Sequence, residues 1–184
     1  MSTYSDHELI TLFHSEEGKN RHYAFRLIVE AHTERVYQLV RRMVIDHDDS
    51  NDLVQNTFIK VWQNLDGFRE DSQLFTWIYR IATNECLAFL RQKRRRFFLP
   101  LIDVEKELAS KLMEHDSMDA NKLEYRLQQA ILSLPPKQRL VFQLRYFDGL
   151  RYEEMSEVLG TSVGALKASY HHAAKKIELK LKNG

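Results

Sequence analysis

Apolar residues recur at steps of three, four and seven along almost the whole of this 184-residue chain, and that period commits it to amphipathic helices. Phe25, Ile28, Val29, Val36, Leu39, Val40 and Met43 form one stripe. Leu53, Val54, Phe58, Val61, Trp62 and Leu65 form the next. A β-rich chain would need many turn residues, yet the sequence holds only 6 Gly and 3 Pro. The fold class is therefore all-α. The polar break Asp46–Ser50 separates the first two stripes, with Asp49 or Ser50 placed to cap the second helix. Gly67 ends that helix. A short polar loop, Phe68–Gln73, precedes a third long helix from about Leu74 into the Arg91–Arg96 run. Its apolar face is wide, with Trp77, Ile78, Ile81, Ala82 and Phe89, as expected of a helix lying across a core.

The pattern then breaks at Phe97-Phe98-Leu99-Pro100. Six acids follow between Asp103 and Asp119, opposed only by Lys106 and Lys111. This composition reads as an acidic linker over 97–120, with a short helix near Val104–Met113. Helical periodicity returns with Leu123, Leu127, Ala130, Ile131 and Leu134. The expected layout is thus two helical domains, 1–96 and 121–184, joined by that linker. Lys plus Arg total 27 against 26 Asp plus Glu, so overall charge points to no particular partner. The start, Met1–Phe13, carries Asp6, His7 and Glu8 and lacks the basic-then-apolar order of a signal peptide. No run approaches 18 apolar residues, so the expectation is a cytoplasmic chain without membrane insertion.

Two constellations carry functional information. The first is Tyr152–Lys182. Met155, Val158 and Leu159 share one face of a short helix, Gly160 supplies a tight turn, and Ser162 caps a second helix. That helix buries Val163, Leu166, Tyr170, Ala173 and Ile177. It turns Gly164, Ala165, Lys167, Ala168, His171, His172 and Lys175 outward, a helix-turn-helix with small residues and cations where a groove and its phosphates would lie. The second is Phe68–Arg96. Aromatic residues adjoin a polar stripe of Arg80, Thr83, Asn84 and Arg91 that ends in Lys93, Arg94, Arg95 and Arg96. Stacking surfaces beside a charge track suit a single nucleic-acid strand, although Trp77 itself reads as core.

Catalytic chemistry finds little support. His171 and His172 are adjacent, so their side chains diverge and cannot share a metal as an i, i+4 pair does. Cys86 sits in an apolar helix, and a single cysteine excludes an internal disulfide framework. No Gly-rich phosphate loop is present, and the acids of Asp46–Asp52 lack the calcium-loop pattern. The expectation is no enzyme activity, no cofactor, no metal and no small-molecule substrate.

Asp52-Leu53-Val54-Gln55-Asn56-Thr57-Phe58, Val61-Trp62, Phe75-Thr76-Trp77-Ile78 and Ile81-Ala82-x-Asn84 resemble the core region of bacterial RNA polymerase sigma factors. Leu134-Pro135-x3-Arg139, Gly149-Leu150-x-Tyr152-x2-Met155 and Leu159-Gly160-x3-Gly164-x2-Lys167 resemble the promoter-reading domain of the same family. The resemblance covers about 20–95 and 121–182 and is to the extracytoplasmic-function group, which keeps those two domains. It implies binding to core RNA polymerase through Asp52, Gln55 and Asn56. It implies melting and reading of a minus-ten element by the Phe68–Gln73 loop with Arg80, Asn84, Arg91, Arg94 and Arg95. It implies reading of a minus-thirty-five element by Ser162, Lys167, Ser169, His171, His172 and Lys175, and an inhibitory anti-sigma factor as a partner. The family usually has an acid at Asn56 and often arginines at Ser169, His172 and Ala174, so Lys167 and backbone shape carry more of the expected readout. A tether of about 25 residues at roughly 3.3 Å each reaches on the order of 80 Å. Two turns of duplex, the rough spacing of the two elements, span ~70 Å. A stand-alone repressor using only the C-terminal helix pair would leave Asp52–Arg96 unexplained.

Overall fold

The computed structural model describes residues 4–15, 18–96 and 122–182. The expected linker over 97–120, its short helix and the apolar Phe97–Leu99 lie outside them. Among the described residues there are eight α-helices, one 3₁₀ turn and no strand. The N-terminal unit comprises α1 (Asp6–Phe13), α2 (Gly18–Val44), α3 (His47–Asn64), the 3₁₀ turn Leu65–Gly67 and α4 (Leu74–Arg96). The C-terminal unit comprises α5 (Lys122–Leu132), α6 (Pro136–Tyr146), α7 (Tyr152–Leu159) and α8 (Val163–Lys182).

Local chemistry sets the helix ends. The α1 helix, which the stripes above do not include, opens on a reciprocal cap. The Ser5 hydroxyl accepts from the Glu8 N–H, and the Ser5 N–H donates to the Glu8 carboxylate at 2.6 Å. Those bonds hold Glu8 below the usual carboxylate range. The cap of α3 differs from the expectation: it is Asp46, whose carboxylate accepts from the Asp49 N–H at 2.9 Å. The reason is Ile45, which adopts a left-handed backbone (φ 65°) and turns the chain three to four residues ahead of the expected caps. Ser50 is consequently inside the helix and buried, with its hydroxyl donating to the Asp46 carbonyl. A β-branched residue at positive φ is strained. Its side chain is only 3% exposed, so packing offsets the cost.

The N-terminal core is built from the expected stripes: Ile28, Val36, Leu39, Val40 and Met43 of α2 meet Val61 of α3 and Ile78, Ala82 and Cys86 of α4. Each fully buried aliphatic side chain contributes roughly 1.5–3 kcal/mol before entropy is subtracted. Cys86 is enclosed, and burial pushes its thiol up to about 12. Phe142, Ala173 and Ile177 centre a smaller cluster between α6 and α8, joined by Ala130, Ile131 and Leu134 around the end of α5.

The described residues of the two units share a buried seam. Leu140, Val141 and Leu144 of α6 and Met155 and Val158 of α7 belong to the same buried cluster as the N-terminal stripes. Polar bonds cross the seam as well. Arg42 donates to Asp148 at 2.6 Å, and the Gln143 side chain donates to the Arg42 carbonyl at 2.9 Å. Arg139, 1% exposed, donates to the carbonyls of Leu132 (2.5 Å), Leu134 (3.4 Å) and Met43 (3.3 Å). Arg139 and Gln143 thereby occupy two of the carbonyls that the last turn of α2 leaves without helical partners.

Candidate nucleic-acid interface

Three exposed surfaces collect the residues singled out in the sequence. On α3, Leu53, Val54, Phe58 and Val61 are buried, which leaves Asp52, Gln55 and Asn56 on the outside of the helix. Ile59, four residues after Gln55, is 53% exposed on that side and was not singled out. Its signal was available, since a large apolar residue one turn beyond three polar ones extends their face. Lys60 is engaged, donating to Glu85 at 2.5 Å.

The second surface is α4. Arg80, Asn84, Arg91 and Arg95 are all exposed, and their spacings of four, seven and four keep them within about 60° around the helix. The side chain of Arg94 lies outside what the structure describes. Lys93 is turned aside, with its amine 3.7 Å from Asp49 and 5.7 Å from the Phe89 ring centre. Trp77 is partly buried and packs on Phe68 at 5.1 Å between ring centres, in keeping with its reading as core. Beside α4 lies the Phe68–Gln73 loop. Glu70 takes a left-handed backbone (φ 57°) and its carboxylate meets the His7 ring nitrogen of α1 at 2.9 Å. That contact holds the His7 imidazole above its ordinary value. A pin between α1 and the loop was not foreseen, because 63 residues separate its members.

The third surface is the helix pair α7–α8. Gly160 sits in the left-handed region (φ 59°, ψ 34°) and closes α7, with its N–H donating to the Ser156 carbonyl at 2.9 Å. Ser162 caps α8 by accepting from the Ala165 N–H at 3.4 Å. Leu166, Ala173 and Ile177 are buried, while Lys167, His171, His172 and Lys175 are exposed and Ser169 is half-buried. The Lys167 amine lies 5.7 Å from the Tyr152 ring centre. That contact steers it across the turn between the two helices. Lys176 instead donates to Gln138 at 2.9 Å. Among the described residues no group of three or more His, Cys, Asp or Glu is disposed to hold a metal ion. No described helix is long and apolar enough to cross a membrane.

Comparison with known proteins agrees with this arrangement of a four-helix unit followed by a helix-turn-helix. Residues 28–96 match the Sigma-70 region 2 family, and residues 124–177 match Sigma-70, region 4. The chain is 31% identical over 168 residues to the ECF RNA polymerase sigma factor SigW of Bacillus subtilis, covering 87% of this chain and 90% of that one. It is 34% identical over 168 residues to the ECF RNA polymerase sigma-E factor of Escherichia coli K12, covering 86% of each. Among solved structures, CnrH in complex with the cytosolic domain of CnrY superposes with a TM-score of 0.69 at 26% identity over 97% of both chains. RpoE of Bartonella quintana, in complex with the anti-sigma factor NepR, shares the fold with a TM-score of 0.65 at 21% identity, over 86% of this chain and 96% of that one. The class defined by fold and site is therefore the sigma-70 type of initiation factor. Within it, this chain belongs to the extracytoplasmic-function (ECF) group of RNA polymerase sigma factors.

Proposed function

We propose that this chain binds core RNA polymerase and directs it to promoters, with a division of labour among the three surfaces. Asp52, Gln55 and Asn56 of α3 dock on the polymerase. The Phe68–Gln73 loop, Arg80, Asn84, Arg91, Arg94 and Arg95 open and hold the minus-ten strand. Ser162, Lys167, Ser169, His171, His172 and Lys175 address the minus-thirty-five duplex. The functional domains are 1–96 and 121–184, with 97–120 as the tether. The chain makes no bonds itself and works in the cytoplasm, where the polymerase supplies the chemistry.

The observation that carries this reading is the exposed, unidirectional row Arg80, Asn84, Arg91 and Arg95 on α4, in a chain that also presents an outward helix-turn-helix face. A cation row supplies phosphate affinity without sequence preference, and a base lifted from the stack needs a pocket beside it. The loop at the start of α4 stands in that place. An inhibitory anti-sigma partner fits the same reading, because both solved relatives described above are complexes, one of them with an anti-sigma factor.

The test separates the surfaces. Substituting Asp52 and Gln55 by Ala weakens co-elution with core polymerase. Arg80→Ala with Asn84→Ala leaves co-elution intact and abolishes strand opening, read as permanganate reactivity of promoter thymines. Lys167→Ala leaves opening intact on pre-melted templates and weakens initiation on duplex ones. Equal effects of all three sets on polymerase binding contradict the division.

A further inference from the structure

We infer that α1 and the start of α2 form a brace that sets the shape of the Phe68–Gln73 loop, with His7 and Arg21 as positioning residues for base selection. The inference rests on that loop being the strand reader.

A short loop selects a base only if its backbone holds one shape, because a shift of about 1 Å misplaces every donor it carries. The crown of this loop has an intrinsic reason to leave its observed shape. Among the described residues only Ile45 and Glu70 are non-glycine residues at positive φ. Packing offsets the strain at Ile45, which is buried. Glu70 is exposed, so burial does not offset its strain. What holds its carboxylate is His7 of α1, through the ring Nδ1 at 2.9 Å. An ionised carboxylate only accepts, so the ring N–H donates.

The entry to the loop is fixed from a second direction. Arg21 of α2 lies over the Phe13 ring of α1 at 4.3 Å and the Trp62 ring of α3 at 5.2 Å. Its guanidinium donates to the Asp66 carboxylate at 2.6 Å. Asp66 belongs to the 3₁₀ turn that feeds the loop, and His14, at the end of α1, stands 3.9 Å from the same carboxylate. Two rings thus orient a planar fork, a geometry that a flexible ammonium does not copy. The brace is itself anchored, because Leu9, Ile10 and Phe13 of α1 are buried in the N-terminal core. Within the loop so held, Arg69, Asp71 and Gln73 are exposed, and they are the groups a lifted base would meet.

An exposed pair such as His7 and Glu70 adds little to global stability, so its loss leaves the fold intact. It acts instead on the local equilibrium of the loop. Apparent affinity for the selected base falls with the fraction of loops in the reading shape. The cation row on α4 meets phosphates whatever base is present. The brace therefore governs selectivity and leaves total strand affinity alone.

The experiment uses the full chain reconstituted with core polymerase. The probe is a fluorescein-labelled pool of single-stranded DNA 20-mers randomised at every position. Bound strands are sequenced, and affinity for the whole pool is read by anisotropy. His7→Ala and Arg21→Ala are each expected to lower the base enrichment of the parent about three- to fivefold. Pool affinity is expected to stay within about twofold. His7→Asn, whose amide nitrogen takes the place of Nδ1, is expected to restore the enrichment. Arg21→Lys keeps the charge without the fork and is expected not to. His7 is on the surface, so its variants carry the test even if Arg21→Ala fails to fold. Unchanged enrichment in His7→Ala overturns the brace, as does a loss in His7→Asn equal to that in His7→Ala. A fall in pool affinity that matches the fall in enrichment overturns the positioning role. Enrichment that survives Arg69→Ala with Gln73→Ala overturns the strand-reader assignment itself, whatever the His7 variants show.

Discussion

His32 is 8% exposed, packs beside the Phe75 ring at 6.3 Å between centres, and has a buried Nδ1 without a hydrogen-bond partner. Burial is the main reason its imidazole titrates below the ordinary 6.5, with Arg35 adding to the effect and Asp6 opposing it. The folded chain therefore prefers the neutral ring. Stability linked to His32 is complete above pH 6.5 and is lost as pH falls from there towards the lowered folded value, because only the unfolded chain takes up the proton in that window. Urea unfolding at pH 7.5 and pH 5 is expected to show a smaller acid loss in His32→Leu than in the parent. Equal losses would contradict the burial argument. Cys86 makes a second point at this scale. Its thiol is enclosed and pushed to about 12, so a thiol reagent at pH 8 is expected to modify it only after unfolding. Rapid labelling of the native chain would contradict that placement.

At the scale of elements, the helix-turn-helix depends on one backbone conformation. Gly160 has φ 59°, and a Cβ built there meets nothing within 4 Å. The penalty for Gly160→Ala is therefore conformational, about 1–2 kcal/mol. That corresponds to roughly 2–8 °C in Tm for a chain of this size. A calorimetric scan checks it, and an unchanged Tm would show that the turn is not held in the left-handed region. The helices themselves were legible because their apolar period is strong. Gly160 and Ser162 mark the turn and cap, and the stripe Arg80, Asn84 and Arg91 follows from helical spacing alone. The Asp46 cap was missed because the competing candidates Asp49 and Ser50 are equally good capping residues, and the choice fell to Ile45 at positive φ. The α1 helix was missed although Ser5-x-x-Glu8 ahead of Leu9 and Ile10 is a capping-box signature. Its eight residues were too short to show a period.

At the scale of the molecule, the seam was invisible in the sequence. Arg42 and Asp148 stand 106 residues apart, Arg42 and Gln143 101, and Arg139 and Met43 96. Local pattern carries no information about such pairs. The Leu-Pro-x3-Arg motif placed Arg139 in the family, but its nearly complete burial and its three carbonyl acceptors come only from the fold. Replacing it by Met keeps much of the volume and strips those carbonyls of their donor. Each buried polar group so orphaned costs about 1–3 kcal/mol. Chemical unfolding of Arg139→Met is expected to show a loss of roughly 3 kcal/mol or more, and a neutral result would mean that water replaces the guanidinium without penalty. Promoter-directed initiation is the central claim, and reconstituted run-off transcription tests it most directly. Purified chain added to core polymerase on a genomic DNA library is expected to yield discrete start sites that vanish in Asn84→Ala and Lys167→Ala variants. No discrete starts, together with no association between this chain and the polymerase, would contradict the account.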